Sequence, residues 1–367
     1  MTGRDKLLAE ALTAAKKNHY NGVFLIPTGG GKGKLMIEIA KELKPKSILY
    51  LCNSQELRDK MFIDECHKWD AKYLLSVMDL QCYQTTYKWS GKHYDLVLAD
   101  EFDAALTPEY AKVFENNTFN HKILVSATLD DDKKRKARKI APIIFEKKSK
   151  ELIKDKILNN VQFYFVKYDL TDDENEIYLH YNKQFRKLLD QHLDKATRFK
   201  LEKLQIQRKQ FLSNLQSSAN VTKWLVNSLS KKDEKILIFC GLSEQADRVC
   251  KNSYHSNNEN KKALEDFHTG KQKVLSVVDK VTRGVNISDV KNIILESTGR
   301  SKTKITQKIG RGMRLEINDT LSVFFLVPYF RHPFHGRKAT IVEQWIIDST
   351  KDMDLTRAQS IAYKPTK

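Results

Sequence analysis

Four short, almost uninterrupted apolar runs mark the first third of the chain: VFLI at 23–26, SILYL at 47–51, DLVLA at 95–99 and KILV at 122–125. Runs of this length and density are the pattern of strands buried on both faces of a parallel sheet. Longer stretches with apolar residues at helical spacing follow the first two, GKLMIEIAKELK at 33–44 and SQELRDKMFIDECHKW at 54–69. A strand, helix, strand rhythm predicts an α/β domain. The rhythm returns in KILIFC (235–240), KVLSVV (273–278), KNIIL (291–295) and SVFFLVP (322–328), which predicts a second domain of the same class.

Length agrees, because 367 residues exceed what one hydrophobic core usually supports. The expected organisation is a first α/β domain over 1–149, a helical connector or insert over 150–222, and a second α/β domain over 223–367. The connector rests on the stretch from Glu174 to Leu215, which lacks Gly and Pro and reads as one or two helices. It is either a plain spacer or an arm that grips nucleic acid.

Charge narrows the class of partner. Against 46 Asp and Glu stand 64 Lys and Arg, a formal charge of +18, which biases the surface toward polyanions and makes nucleic acid the leading partner. Five cysteines form no CxxC pair, so no disulfide framework is expected and a reduced, cytoplasmic compartment fits. No apolar run approaches the roughly 18 residues that a bilayer-spanning helix needs, so no membrane partner is expected.

The chemistry sits at the predicted strand ends. VFLIP runs into Thr28, Gly29, Gly30, Gly31, Lys32, Gly33 and Lys34 and then into a helix, the context that a phosphate-binding loop requires. Glycines let backbone N–H groups wrap close to phosphate oxygens, and the helix N-terminus adds favourable partial charge. Lys32 would neutralise the β and γ phosphates. The position after that lysine normally supplies a hydroxyl to Mg²⁺, and here it is Gly33. Further on, the strand DLVLA ends in Asp100-Glu101-Phe102-Asp103, two adjacent carboxylates where open α/β sheets bind ligands. Asp100 would hold Mg²⁺, and Glu101 would orient and deprotonate an attacking water. Ser126-Ala127-Thr128 follows the next strand, where Ser126 and Thr128 could sense the carboxylates and relay nucleotide state together with Asp103. Near the end of the second domain, Gln307-Lys308-Ile309-Gly310-Arg311-Gly312-Met313-Arg314 places Arg311 and Arg314 on one helical face, suited to transition-state charge on a phosphoryl group.

In this order, PTGGGKGK, DEFD, SAT and QKIGRGMR resemble the superfamily 2 helicases and translocases. NSQELRD (53–59) looks like motif Ia, LQCYQT (80–85) like motif Ib, LIFCGLSEQAD (237–247) like motif IV and VTRGVNIS (281–288) like motif V. DEFD and the segment LTDDENEIY look closest to phage-type repair and restriction-associated DNA motors. The resemblance implies two tandem RecA-like domains, ATP and Mg²⁺ as cofactors in the cleft between them, and catalysis by Glu101, Gln307, Arg311 and Arg314. It implies strand contacts at Ser54, Gln84, Thr85, Ser243 and Thr282, and coupling of strand to nucleotide through Arg283 and Gly284. Departures are Gly33, Cys82 where the pattern has threonine, and Asn286 where it has aspartate.

Two features lie outside the shared motifs. KKRKARK (133–139) is either a phosphate contact or a solvated helix face, and Phe334 in RHPFHGRK (331–338) could stack on bases. The expected function is an ATP-dependent helicase or translocase, on DNA rather than RNA, acting as a monomer or within a repair, replication or restriction assembly, in the host cytoplasm if phage-encoded. The alternative is a nucleotide-gated binding module in which Gly33 has weakened or abolished hydrolysis.

Overall fold

The computed structural model describes residues 2–55, 57–191, 194–278, 289–297, 305, 308–310, 312, 319–332, 336–338, 346–347 and 358–363. The chain divides into two compact units, Met1–Asn159 and Asn160–Lys367.

In the first unit the order is α1 (Gly3–Lys17), β1 (Asn21–Leu25), α2 (Lys32–Leu43), β2 (Ile48–Cys52), α3 (Phe62–Lys68), β3 (Met78–Cys82), α4 (Tyr83–Thr86), β4 (His93–Ala99), α5 (Lys112–Glu115), β5 (Thr118–Ser126), α6 (Asp131–Arg138), β6 (Ile143–Glu146) and α7 (Ser149–Lys154). The strands form one sheet in the order β3-β2-β4-β5-β1-β6, and every pairing is parallel. Their carboxyl ends therefore share one edge, where the predicted loop and carboxylates fall. The four apolar runs of the sequence are β1, β2, β4 and β5, whose inner residues Val23, Leu49, Leu51, Val97 and Leu124 join one core with Phe102 and Val113. A wider π-type turn over Leu57–Met61 precedes α3, so the 54–69 stretch is not one regular helix. A π-type turn is a local one-turn bulge, too short for the periodicity of a 16-residue stretch to reveal.

The second unit contains β7 (Asn160–Asp169), α8 (Asp172–Leu189), α9 (Lys195–Leu212), α10 (Gln216–Leu229), β8 (Lys235–Cys240), α11 (Ser243–Val249), β9 (Ser253–Tyr254), α12 (Lys261–Thr269), β10 (Val274–Val278), β11 (Val290–Leu295), β12 (Thr320–His332), β13 (Gly336–Lys338) and β14 (Gln359–Ala362). Its sheet runs β14-β7-β12-β11-β8-β10-β9 with parallel pairings, and β13 adds antiparallel to β12. Residues 150–222 thus hold more than helices: β7 lies among them and pairs with β12 over ten positions, from Asn160 with Thr320 to Asp169 with Tyr329. The stretch without Gly and Pro forms α8 and α9. Thr171 caps α8, accepting from the Glu174 N–H at 3.2 Å while the Glu174 carboxylate accepts from the Thr171 N–H at 3.0 Å. That reciprocal pair satisfies two otherwise orphaned donors.

A buried polar network sits where β11 ends. Glu296 Oε1 accepts from Gln245 Nε2 at 2.5 Å, and Gln245 Oε1 accepts from Arg248 at 3.0 Å. Burial pushes the Glu296 carboxyl up to about 7, with Ser218 and Gln245 opposing. The folded state therefore holds this proton more tightly than the unfolded chain, so the stability it contributes is complete below the ordinary glutamate range and is lost as pH rises through 7. Relative to Glu296→Gln, the wild type is expected to lose about 2 kcal/mol between pH 5 and 8. Urea unfolding of both proteins at the two pH values measures this, and parallel pH profiles would contradict it.

Candidate nucleotide site and nucleic-acid edge

The loop after β1 has the backbone that the sequence requires. Gly29 and Gly31 take φ of 88° and 90°, a left-handed region that side chains other than glycine enter at a cost. At Gly30 an added Cβ would come within 2.5 Å of Ile26 Cγ2 and 3.0 Å of the Pro27 carbonyl oxygen, so the turn closes only without one. Lys32 opens α2, and its Nζ reaches back across the loop to donate to the Ile26 carbonyl at 3.1 Å. No side chain caps the start of α2 and its first turn has no acidic residue. A helix end of this kind presents N–H groups and positive partial charge to an anion.

Two strands away, β4 delivers the carboxylates. Asp100 is partly buried, and its backbone is fixed by the Asp100 N–H donating to Leu51 O at 2.8 Å and by Tyr83 Oη donating to Asp100 O at 3.0 Å. Burial raises the Asp100 carboxyl above its ordinary range, against the opposing charge of Lys32, the Glu101 N–H and a hydrogen bond from Tyr50. A cation beside it would relieve that desolvation. Glu101 stands at φ 47°, a left-handed conformation uncommon outside glycine. Its N–H donates to Asp100 Oδ1 at 2.8 Å.

Asp103 and Ser126 are brought together: Ser126 Oγ donates to Asp103 Oδ1 at 3.3 Å, and Lys133 Nζ lies 3.4 Å from Asp103 Oδ2. The end of β5 is thereby tied to the turn that carries Glu101. Thr128 lies two residues beyond β5. Of the basic run on α6, Lys134 spans both oxygens of Glu146 at 2.6 and 2.9 Å, while Arg135 and Lys136 pair with Asp132. That is the solvated, ion-paired face rather than a row of unengaged cations.

The donor set fits Mg²⁺. Among the described residues no three His, Cys, Asp or Glu side chains converge as a metal cage. Mg²⁺ is commonly held by one or two carboxylates with nucleotide phosphates and several waters, so Asp100 at a phosphate loop is a sufficient protein ligand. Lys34 is turned elsewhere, with Nζ 4.3 Å from the centroid of the Trp69 ring.

The candidate strand contacts of the first unit gather at the same edge, past β2 and β3. Gln84 Nε2 donates to Asn53 Oδ1 at 3.1 Å, so the segments read as motifs Ia and Ib touch. Ser54 Oγ accepts from the Leu57 N–H at 3.3 Å, and Gln84 and Thr85 are exposed. In the second unit Ser243 is the first residue of α11. Two residues before it, Gly241 admits no Cβ, because Ser213 Cβ would lie at 2.8 Å. Lys308 Nζ donates to Ser297 O at 3.3 Å, and a Cβ at Gly312 would meet Leu321 Cδ1 at 2.7 Å, which seats this part of the QKIGRGMR segment on the second sheet. Thr282, Arg283, Gly284, Gln307, Arg311, Arg314 and Phe334 lie outside the described residues. Sequence reading missed Tyr50 and Tyr83 as supports of Asp100. For Tyr50 the signal is a tyrosine inside an otherwise buried aliphatic strand, whose hydroxyl needs a partner; Tyr83, between Cys82 and the exposed Gln84, carries no such signal.

Comparison with known proteins follows the same division. A model of the type III restriction enzyme res subunit family matches residues 4–72, and a model of the helicase conserved C-terminal domain matches residues 216–316. Together these matches support a superfamily 2 helicase. Its fold is similar to that of the Pyrococcus furiosus Hef helicase domain, at 14% identity over 93% of this chain and 97% of that chain, with a TM-score of 0.55. The ATP-dependent type ISP restriction-modification enzyme LlaBIII bound to DNA shares 14% identity with a TM-score of 0.67, and there the helicase chain corresponds to 31% of a longer protein. Dbp5 of S. cerevisiae bound to RNA and ADP BeF3 gives 14% identity, 97% and 89% coverage and a TM-score of 0.55. No curated protein matches the sequence. Superfamily membership accounts for the two parallel sheets and for the loop, carboxylate and glycine-rich helix segments in their observed order. No described helix is long and apolar enough to cross a membrane.

Proposed function

We propose that this helicase hydrolyses ATP with Mg²⁺ at the edge of its first sheet and uses the cycle to move along DNA. The observation that carries this reading is the placement of Lys32, after β1, and of Asp100 and Glu101, after β4, at the same carboxyl edge of one parallel sheet, with Asp103 tied to Ser126. Backbone N–H groups of Thr28 to Gly33 and the Lys32 ammonium bind and orient the β and γ phosphates. Mg²⁺, when bound with the nucleotide at Asp100, neutralises phosphate charge. Glu101 orients the attacking water and accepts its proton, while Arg311, Arg314 and Gln307 stabilise the charge that develops on the transferred phosphoryl group. Loss of the γ phosphate is relayed through the Asp103–Ser126 contact and Thr128, with Arg283 and Gly284 as the corresponding link to the strand.

Ser54, Gln84, Thr85, Ser243 and Thr282 hold the strand by its backbone, with Phe334 stacking on a base. DNA is favoured over RNA because the family model over 4–72 is that of a restriction enzyme subunit and LlaBIII is bound to DNA. The chain acts as a monomer or within a repair, replication or restriction assembly, the last being the kind the two restriction-enzyme relatives favour. All five cysteines are free, which is compatible with a reducing cytoplasm. Gly33 favours a second reading, a nucleotide-gated binding module without turnover, since the usual hydroxyl is missing. Fluorescence anisotropy of labelled single strands, duplexes and RNA across a salt series tests the strand assignment. Sequence-independent binding that weakens steeply with salt and is tighter for DNA is expected. Binding that is insensitive to salt, or confined to RNA, would overturn it.

A further inference from the structure

At Gly33 a carboxylate from another element stands beside the point where a side chain would begin. A Cβ on Gly33 would lie 3.3 Å from Glu65 Oε2 and 3.5 Å from both Cδ and Cγ of that residue, so the Glu65 carboxylate lies flat against the bare glycine. Glu65 is held there. Its Oε2 accepts from Trp69 Nε1 at 2.7 Å, the Trp69 ring is covered by Lys34, and the Trp69 carbonyl accepts from Lys41 Nζ at 2.5 Å. Two lysines of α2 thus clasp the end of α3 and fix the carboxylate beside position 33. Its Oε1 lies 4.0 Å from Lys68 Nζ in an exposed pair, too solvated to neutralise it firmly.

We propose that Glu65 takes over the role that a hydroxyl at position 33 serves in the superfamily pattern, accepting hydrogen bonds from the waters of the nucleotide-bound Mg²⁺. The inference rests on the nucleotide reading of the loop. Mg²⁺ keeps several of its waters when bound, so an acceptor in its outer shell orients it without direct ligation. Glu65 and Gly33 are a matched pair, because a side chain at 33 would crowd the carboxylate and a carboxylate is needed only where the hydroxyl is absent. A carboxylate differs from a hydroxyl in one measurable respect: it carries charge. Without metal it repels the phosphates, and with metal it attracts the cation.

Binding of a fluorescent ATP analogue to the full chain, in EDTA and over a Mg²⁺ titration, tests this in wild type, Glu65→Gln, Glu65→Ala and the double variant Glu65→Ala with Gly33→Ser. Glutamine keeps an acceptor for Trp69, so Glu65→Gln preserves the packing while removing the charge. It is expected to bind the analogue more tightly than wild type in EDTA, yet to need on the order of 10-fold more Mg²⁺ for half-maximal gain. The double variant is expected to recover Mg²⁺ dependence that Glu65→Ala loses. An unchanged Mg²⁺ midpoint in Glu65→Gln, or a double variant no better than Glu65→Ala, overturns the proposal while leaving the nucleotide site standing. A wild type that binds no analogue with or without Mg²⁺ overturns both.

Discussion

Lys32→Ala is expected to remove nucleotide binding, and with it ATP turnover, while strand affinity in the absence of nucleotide stays within about twofold of wild type. β1 and α2 place the ammonium at the phosphate loop, and its Nζ already reaches across the loop to the Ile26 carbonyl. Charge-assisted hydrogen bonds are each worth about 1.5–3 kcal/mol, and a lysine bridging two phosphates makes more than one. A loss on the order of 100-fold or more in nucleotide affinity follows, read by equilibrium titration of a fluorescent analogue. The glycines that shape the loop are untouched, so the variant should keep the thermal stability of the wild type. Retained affinity would mean that the loop does not hold phosphates.

Glu101→Gln separates binding from chemistry. Asp100 and the loop stay intact, so Mg·ATP affinity should be kept, while the group that takes the proton from water is lost. General-base catalysis contributes about 10²–10⁴-fold, and a decrease in kcat of that size is expected. Glutamine occupies nearly the same volume and can remain at φ 47°, so the backbone of the turn should persist. Because the variant is arrested before hydrolysis, it should hold nucleic acid in its ATP-bound state without release. Rapid-quench measurement of a single turnover distinguishes a slow chemical step from slow product release. Wild-type turnover in this variant would move the catalytic base elsewhere.

Much of the fold could be read from pattern, for an identifiable physical reason. The strands β1, β2, β4, β5, β8, β10, β11 and β12 lie in the body of parallel sheets, where burial on both faces enforces continuous apolar runs. A half-covered strand need give no such run: β3 is MDLQC, with only Cys82 buried, while the edge strand β6 is only four residues, IIFE, too short to stand out. β7 does carry an aromatic and aliphatic run, but it stands directly before the polar helices α8 and α9 and pairs with β12, whose residues begin 160 positions later in register. Long-range pairing of that kind leaves no local trace.

The site divides in the same way. Residues whose role is set by local backbone, namely Gly29 and Gly31 with positive φ, Lys32 at a helix start and Asp100 at a strand end, were accessible from their context in the sequence. Contacts that depend on tertiary proximity were not. The hydroxyls of Tyr50 and Tyr83 on Asp100, Lys133 on Asp103 and the Glu65 carboxylate against Gly33 all join elements that are remote along the chain. KKRKARK illustrates the limit of composition: its charge predicted a cation-rich helix, but only the positions of Glu146, Asp132 and Asp103 decide that Lys133, Lys134, Arg135 and Lys136 are paired.

Steady-state hydrolysis of Mg·ATP by the wild-type chain, with and without saturating single-stranded and duplex DNA at one stated salt concentration, bears most directly on the central claim. The site predicts hydrolysis above the buffer rate that rises several-fold or more when DNA is added and disappears in Glu101→Gln. Hydrolysis no faster than buffer under every condition, despite binding of nucleotide and DNA, would contradict it and leave a nucleotide-gated binding module in its place.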